Sequence, residues 1–251
     1  MEMYRNIIVI PARYQSTRLP GKPIVDICGK PMIYWVYQQA VKVPGIDRVF
    51  LAIDDERIAE VCRKYELPYV MTSSTHANHV LRLAEVAQKI SAQYYICVNG
   101  DEPLIQSADI EAVIPKQNTP DAEPYAGYLI RPLRGISEAV DISNIKVTLK
   151  QDGTCMYMSR NLIPYPKGAE FDHYAKLIGI ECFNRQALEF YARTPMGVYE
   201  RTEDIDHLRF LENGVDVHMS LVSTESLSVD TPKDLENIRR LISRQLEDRN
   251  G

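Results

Sequence analysis

Ile7-Ile8-Val9-Ile10-Pro11-Ala12-Arg13-Tyr14-Gln15-Ser16-Thr17-Arg18-Leu19-Pro20-Gly21-Lys22-Pro23 is the stretch whose reading decides the fold. Four consecutive apolar residues closed by a proline read as a buried strand. The loop that follows carries Arg13, Arg18 and Lys22, and a helical pattern begins near Pro31. Open α/β sheets bind ligands outside the carboxyl ends of their strands. Three cations at such an end suit a polyphosphate, because Arg forks onto phosphate oxygens and Lys acts as a point charge. The same residue types also fit a solvated basic loop. No G-x-x-x-x-G-K-[ST] and no G-x-G-x-x-G occurs, so neither a P-loop nor a dinucleotide fingerprint is supported.

Outward from this stretch, strand and helix alternate. Residues 23–28 read as a short strand ending in a Gly29-Lys30 turn, and Met32, Trp35, Val36, Gln39 and Ala40 recur at helical spacing. Further strands are expected at 49–53, 68–71 and 94–98, with helices at about 56–65 and 80–91. This alternation predicts an α/β fold, a mainly parallel sheet with helices on both faces. The second half reads as strands at 125–130, 145–149, 155–158, 177–183 and 215–221, and Gln151-Asp152-Gly153 marks a hairpin turn. Residues 160–175 look irregular. Helices are expected from about 186, over 203–212 and from Thr231, where Asp230-Thr231-Pro232 is a start signal.

The 251 residues suffice for one large α/β domain carrying an elaborated arm, and 45% apolar with 25% charged residues is ordinary for a globular protein. A net charge of −5 leaves no basic footprint for nucleic acid, so a local cationic loop points to an anionic small molecule. Cys28, Cys62, Cys97, Cys155 and Cys182 are scattered without a C-x-x-C pair, which fits a reducing, cytoplasmic setting and argues against a cysteine zinc site. No signal peptide or long apolar span is visible, so secretion by that route and membrane spanning are not expected.

Two acidic stretches carry chemistry. Asn99-Gly100-Asp101-Glu102-Pro103 follows the 94–98 strand, which puts Asp101 at the carboxyl end of an inner strand on the cationic loop's edge. Asn-Gly is turn chemistry, yet a carboxylate there also suits Mg²⁺, which takes carboxylate oxygens and shares its other positions with phosphates. Asp230 alone reads as a cap or turn residue, and becomes a candidate metal ligand only if it is paired with Asp101. Two such carboxylates facing a triphosphate suit phosphoryl transfer, which runs on positioning and electrostatics and needs no protein nucleophile. His76 and His79 show no third ligand in the sequence, so no metal is expected on them.

Pro11-Ala12-Arg13-Tyr14-Gln15-Ser16-Thr17-Arg18-Leu19-Pro20-Gly21-Lys22 is a full match to P-A-R-x-x-S-x-R-L-P-x-K, the signature of the cytidylyltransferases that activate acidic sugars. The chain resembles that family, typified by 3-deoxy-manno-octulosonate cytidylyltransferase, from Ile8 to about Ile242. Gly100-Asp101-Glu102-Pro103 matches its Q-G-D-E-P with Asn99 for Gln, and Val229-Asp230-Thr231-Pro232-Lys233-Asp234-Leu235 is similar to V-D-T-P-E-D-L. The resemblance implies a single nucleotide-diphospho-sugar-transferase-like (Rossmann-like) domain over residues 1–251, with a β-rich dimerisation region at about 155–180 and hence a homodimer. It implies CTP held by Pro11, Ala12, Arg13, Arg18, Lys22, Asn78 and Arg82. Mg²⁺ falls to Asp101 and Asp230, and catalytic roles to Arg13, Lys22 and Asp101. The acceptor, an anionic small molecule, falls to Asn99, Arg160, Lys176, Glu181, Asp206 and His207.

The departures cluster. The family's H-x-S-G-T-[DE]-R-[IL]-A-E has Asn78-His79-Val80 in place of S-G-T. Its R-H-L-G-I-Y becomes Lys176-Leu177-Ile178-Gly179-Ile180-Glu181, and its Glu-Gln pair becomes Asp206-His207. Tyr157-Met158-Ser159-Arg160 with Ile163-Pro164 keeps Y-F-S-R-x-x-I-P. A phosphate and metal apparatus retained beside an altered pocket points to CTP-dependent transfer of CMP to an acidic sugar, or to another anionic acceptor such as a phosphorylated or phosphonate metabolite. A nucleotide-binding protein without catalysis is the reading from another class; Lys22, Asp101 and Asp230 argue against it.

Overall fold

The computed structural model describes residues 3–16, 19–116, 123–168, 174–223 and 227–250. The first half runs β1 (Tyr4–Ala12), a 3-10 turn (Lys22–Ile24), the small hairpin β2 (Asp26–Ile27) and β3 (Lys30–Pro31), α1 (Met32–Ala40), β4 (Arg48–Ile53), α2 (Glu56–Lys64), β5 (Tyr69–Met71), α3 (His79–Lys89) and β6 (Ala92–Val98). The second runs α4 (Ser107–Ala112), β7 (Ala126–Pro132), α5 (Ile136–Val140), β8 (Lys146–Leu149), β9 (Cys155–Ser159), β10 (Ala175–Asn184), α6 (Arg185–Arg193), α7 (Val198–Glu203), α8 (Leu208–Glu212), β11 (Val217–Leu221) and α9 (Pro232–Asn250).

The main sheet has the order β11-β7-β10-β6-β1-β4-β5. Its neighbours pair in parallel except on either side of β10, so β10 alone opposes the other six strands. The strands β8 and β9 form the expected hairpin and join the sheet through β10. The mainly parallel α/β reading therefore holds, with β10 as its antiparallel exception.

β1 sits between β4 and β6, and Ile7, Ile8, Val9 and Ile10 are all fully buried. Alternate side chains of a strand face opposite sides. Ile7 and Val9 pack in one layer with Leu83, Tyr95, Tyr191 and Phe210. Ile8 and Ile10 pack in the other with Ile33, Val36, Leu51 and Ile58. A continuous apolar run is the mark of a strand covered by helices on both faces. A third cluster, Ile27, Met32, Val229, Leu235, Ile238 and Ile242, fixes α9 against the β2–β3 hairpin and so carries Asp230 to the strand ends.

Three readings change. Residues 23–28 are not one strand: the 3-10 turn precedes a two-residue strand, and positive φ at Cys28 and Gly29 turns the chain back into β3. The helix expected over 203–212 is two, because Asp204 takes the left-handed conformation that ends α7. The short helices α4 and α5 left no pattern long enough to see. Cys62, Cys97, Cys155 and Cys182 are buried, Cys28 is half-buried, and all five are free thiols. At the last helix the start signal works as a reciprocal box: Asp234 Oδ2 accepts from Thr231 N at 2.8 Å, and Thr231 Oγ1 accepts from Asp234 N at 3.3 Å. Among the described residues no helix is long and apolar enough to cross a membrane.

Candidate active site

The carboxyl ends of β1 and β6 open into a cleft of about 440 Å³ lined by Pro11, Ala12, Arg13, Lys22, His79, Asn99 and Asp101, among others. Two close backbone approaches build it. A Cβ on Gly100 would stand 2.9 Å from Pro11 O, so the loops after the two strands nearly touch. Val229 N donates to Asp101 O at 2.9 Å, which seats Asp230 beside Asp101.

Lys22 Nζ lies 2.5 Å from Asp101 Oδ2 and 3.1 Å from Asp230 Oδ1. Among the described residues, Asp101 Oδ1 is buried without a hydrogen-bond partner. A buried carboxylate oxygen that nothing satisfies is costly unless a cation or donor joins it. Two oxygen-donor carboxylates, one with an orphaned buried oxygen, fit a hard divalent cation such as Mg²⁺.

Arg13 lines the same cleft, its Nη2 donating to His76 O at 2.9 Å. Gln15, Ser16 and Met32 also line it, without having been singled out from the sequence. Arg18 lies outside the described residues.

Two residues expected at CTP sit behind the cleft wall. Arg82 has no exposed surface and donates to Thr72 Oγ1 and, at 2.9 Å, to Asp54 Oδ2. Asp54 Oδ1 in turn accepts from Tyr14 N at 3.0 Å, so Arg82 positions the cationic loop through Asp54. Asn78 caps α3, its Oδ1 accepting from Leu81 N at 3.0 Å while its Nδ2 donates to Tyr191 OH at 2.7 Å.

The acceptor set divides. Asn99 lines the cleft, and its Nδ2 would be 1.8 Å from a Cβ on Gly179. Across that contact a second cavity of about 180 Å³ is lined by Glu102, Arg131, Lys176, Gly179 and Ser228, among others. Lys176 Nζ donates to Asn144 Oδ1 at 2.8 Å; burial and the nearby Arg131 push its pKa down. Arg160 lines neither cavity. Its Nε donates to Glu203 O at 2.6 Å, Nη2 to Asp204 O at 2.7 Å and Nη1 to Ile142 O at 3.2 Å. The reading of Arg160 as an acceptor ligand thus meets a guanidinium already committed to three carbonyls.

Glu181, Asp206 and His207 converge on a residue the sequence reading left without a role. His79 Nε2 is 2.8 Å from Glu181 Oε2 and 3.0 Å from Oε1, and His79 Nδ1 is 3.7 Å from Asp206 Oδ2. His207 Nε2 lies 3.4 Å from Glu181 Oε1. Burial disfavours charge on His79, but Glu181 and Asp206 outweigh it and hold its pKa above the ordinary value. Burial likewise opposes ionisation of Glu181, and the two histidines override it to lower its pKa. His207 is pushed down, chiefly by burial. The turn carrying Asp206 and His207 is pinned by the buried fork of Arg209 on Glu200, at 2.7 and 2.6 Å. The available signal was joint departure: positions 79, 181 and 207 all leave the family pattern, and they meet in space. His76 stands apart, paired with Glu85 at 2.5 Å.

A largely parallel sheet with cations and paired carboxylates at its strand ends defines a nucleotidyltransferase. A family described as cytidylyltransferase matches residues 7–219. The 3-deoxy-manno-octulosonate cytidylyltransferase of Escherichia coli is 37% identical over 97% of this chain and 98% of its own length. The mitochondrial enzyme of that name from Arabidopsis thaliana is 36% identical over 95% of this chain and 83% of its own. A solved CMP:2-keto-3-deoxy-manno-octonic acid synthetase complexed with CTP superposes at a TM-score of 0.90, with 36% identity, over 96% of this chain and 99% of that one. A 4-diphosphocytidyl-2C-methyl-D-erythritol synthase from Anaerococcus prevotii, 14% identical at a TM-score of 0.63, shares the fold. The chain belongs to the cytidylyltransferase family, in the branch of the 3-deoxy-manno-octulosonate enzymes.

Proposed function

We propose that this protein is a CTP-dependent cytidylyltransferase that couples CMP to an acidic sugar of the 3-deoxy-manno-octulosonate kind and releases pyrophosphate. The observation that carries this reading is Lys22 held between Asp101 and Asp230 at the ends of β1 and β6, beside Arg13.

In the reaction an acceptor hydroxyl oxygen forms a bond to the α-phosphorus of CTP. The bond from that phosphorus to the bridging oxygen breaks, pyrophosphate leaves, and the hydroxyl proton is lost. Arg13 and Lys22 bind and orient the triphosphate, with Arg18 expected to join them. Asp101 and Asp230 would hold Mg²⁺, which when bound neutralises charge developing on the phosphate oxygens. The backbone at Pro11 and Ala12 lines the cleft wall. Arg82 and Asn78 support the site from behind. Asn99 links the cleft to the cavity of Arg131 and Lys176, whose positive charge suits a carboxylate on the acceptor.

A second acceptor class, phosphorylated or phosphonate metabolites, is kept for one reason: Leu177, Glu181, Asp206 and His207 all stand where the family's acceptor pattern has other residues. A homodimer is part of the proposal. Ile142 (70% exposed), Met156 (60%) and Tyr165 (80%) are large apolar side chains left exposed in or near the region expected to make it. Free thiols throughout support a reducing, cytoplasmic setting.

The test is pyrophosphate release with CTP, Mg²⁺ and a panel of sugar acids, phosphorylated sugars and phosphonates. Release is expected with CTP and a 3-deoxy-octulosonate-type acid. No turnover of any nucleoside triphosphate across the panel overturns the reading, and turnover only with a phosphorus-bearing acceptor selects the second class. Sedimentation should find a dimer at micromolar concentration.

A further inference from the structure

The cluster behind the cleft contains more than an ion pair. His79 opens α3, Glu181 stands in the middle of β10, and His207 immediately precedes α8. Three elements therefore deliver two imidazoles and one carboxylate to one point, where one ligand atom from each lies within 4.8 Å of the others. Glu181 and His207 are 3% and 5% exposed, so the set is walled off on one side. On the other, the side chain of His79 is 27% exposed and faces the cleft.

We propose that His79, Glu181 and His207 form a binding site for a divalent first-row transition ion, with Zn²⁺ as the type ion, distinct from the Mg²⁺ carboxylates. Two imidazoles and a carboxylate are the donors of open, three-ligand sites for such ions. A hard cation that prefers oxygen donors is not suited to them. The surroundings of His79 fit as well. A ligating imidazole commonly sets its second ring nitrogen toward a carboxylate. Here Nε2 of His79 faces Glu181 while Nδ1 faces Asp206 Oδ2 at 3.7 Å. Tyr128, whose ring centroid is 4.4 Å from that of His207, has a buried hydroxyl without a partner among the described residues. An orphaned buried hydroxyl at such a place calls for water or a ligand that the protein itself does not supply.

An imidazole must be neutral and a carboxylate ionised to ligate, so ion binding here is expected to weaken as pH falls. With three protein donors, further positions of the ion face the cleft. Resting on the transferase reading above, these positions would hold an anionic group of the acceptor on the side of the cleft away from Lys22.

Zn²⁺ and Co²⁺ titrations of the full chain decide the matter, after chelator treatment and in excess Mg²⁺, with neither CTP nor acceptor present. One ion per chain is expected by calorimetry, and bound Co²⁺ should show the visible absorption of a low-coordinate site. Glu181→Gln should weaken binding about 10-fold or more. His79→Gln, which alters the exposed ligand and spares the buried ones, should do the same while circular dichroism stays unchanged. Failure of wild type to bind Zn²⁺, or equal binding by wild type and H79Q, overturns the site. Because neither substrate is present, that failure is separate from any failure of pyrophosphate release.

Discussion

Lys22 Nζ stands 2.5 Å from Asp101 Oδ2 across 79 residues of chain. Neither residue reaches the other through its own element. Parallel pairing of β1 with β6 sets their loops side by side, and the missing side chain at Gly100 lets those loops meet. The hydrogen bond from Val229 N to Asp101 O then adds Asp230.

Asp101→Ala should reduce pyrophosphate release by on the order of 10²–10³-fold or more, the scale of losing one electrostatic group at a reacting phosphate. The Asp101 side chain is 27% exposed, so the thermal midpoint should move little. Wild-type turnover in a folded variant would remove Asp101 from the site.

Gly100→Ala places a methyl 2.9 Å from Pro11 O and 3.4 Å from Ile10 Cγ2. The nearer atom is backbone in the central strand, so relief requires the two loops to separate. A loss of about 1–3 kcal/mol in urea unfolding is expected, as for other overpacked sites. The fall in kcat/KM should exceed what unfolding explains. Unchanged stability and kinetics together would show that the loops do not approach as described.

Arg160→Ala separates two roles. Three carbonyls on Glu203, Asp204 and Ile142 lose their donor, so stability should fall by about 1–3 kcal/mol. The acceptor KM of the folded fraction should not change. A raised acceptor KM with an unaltered unfolding midpoint would return Arg160 to the acceptor site.

Glu138 titrates far below its ordinary value, at about 2, because the fork of Arg131 hydrogen-bonds it and, after a smaller opposing effect of burial, so does Arg134 N. A depressed carboxyl stabilises the fold at pH values above the ordinary pKa near 4.5, and that contribution disappears as pH falls through about 2. Glu138→Gln should therefore lower the urea midpoint by a constant amount above about pH 5, with the gap to wild type closing between 4.5 and 2. A gap of equal size at all pH values would show that the charge on Glu138 contributes nothing.

The parallel core was legible because burial writes itself locally. Ile7 to Ile10 is apolar without interruption since both faces of β1 are covered, and α1, α2 and α6 showed their helical spacing for the same reason. Asp101 and Asp230 were legible as a pair only through the resemblance, because each alone has turn chemistry. The break at Asp204 was hidden inside a helical pattern, since one residue in the left-handed conformation leaves the periodicity on both sides intact.

The sequence by itself determined the strand–helix alternation, the cationic loop at the end of β1 and the transferase family, all carried by runs and motifs a few residues long. Only the tertiary structure decided what side chains meet across the sheet. It gave the Arg160 guanidinium three backbone carbonyls and Arg82 the side chains of Thr72 and Asp54, and it joined His79 to Glu181, 102 residues away, which His207 also meets. Those partnerships depend on β10 entering antiparallel between β6 and β7, and strand order at that range is set by packing of the whole chain, which no local pattern of residues encodes.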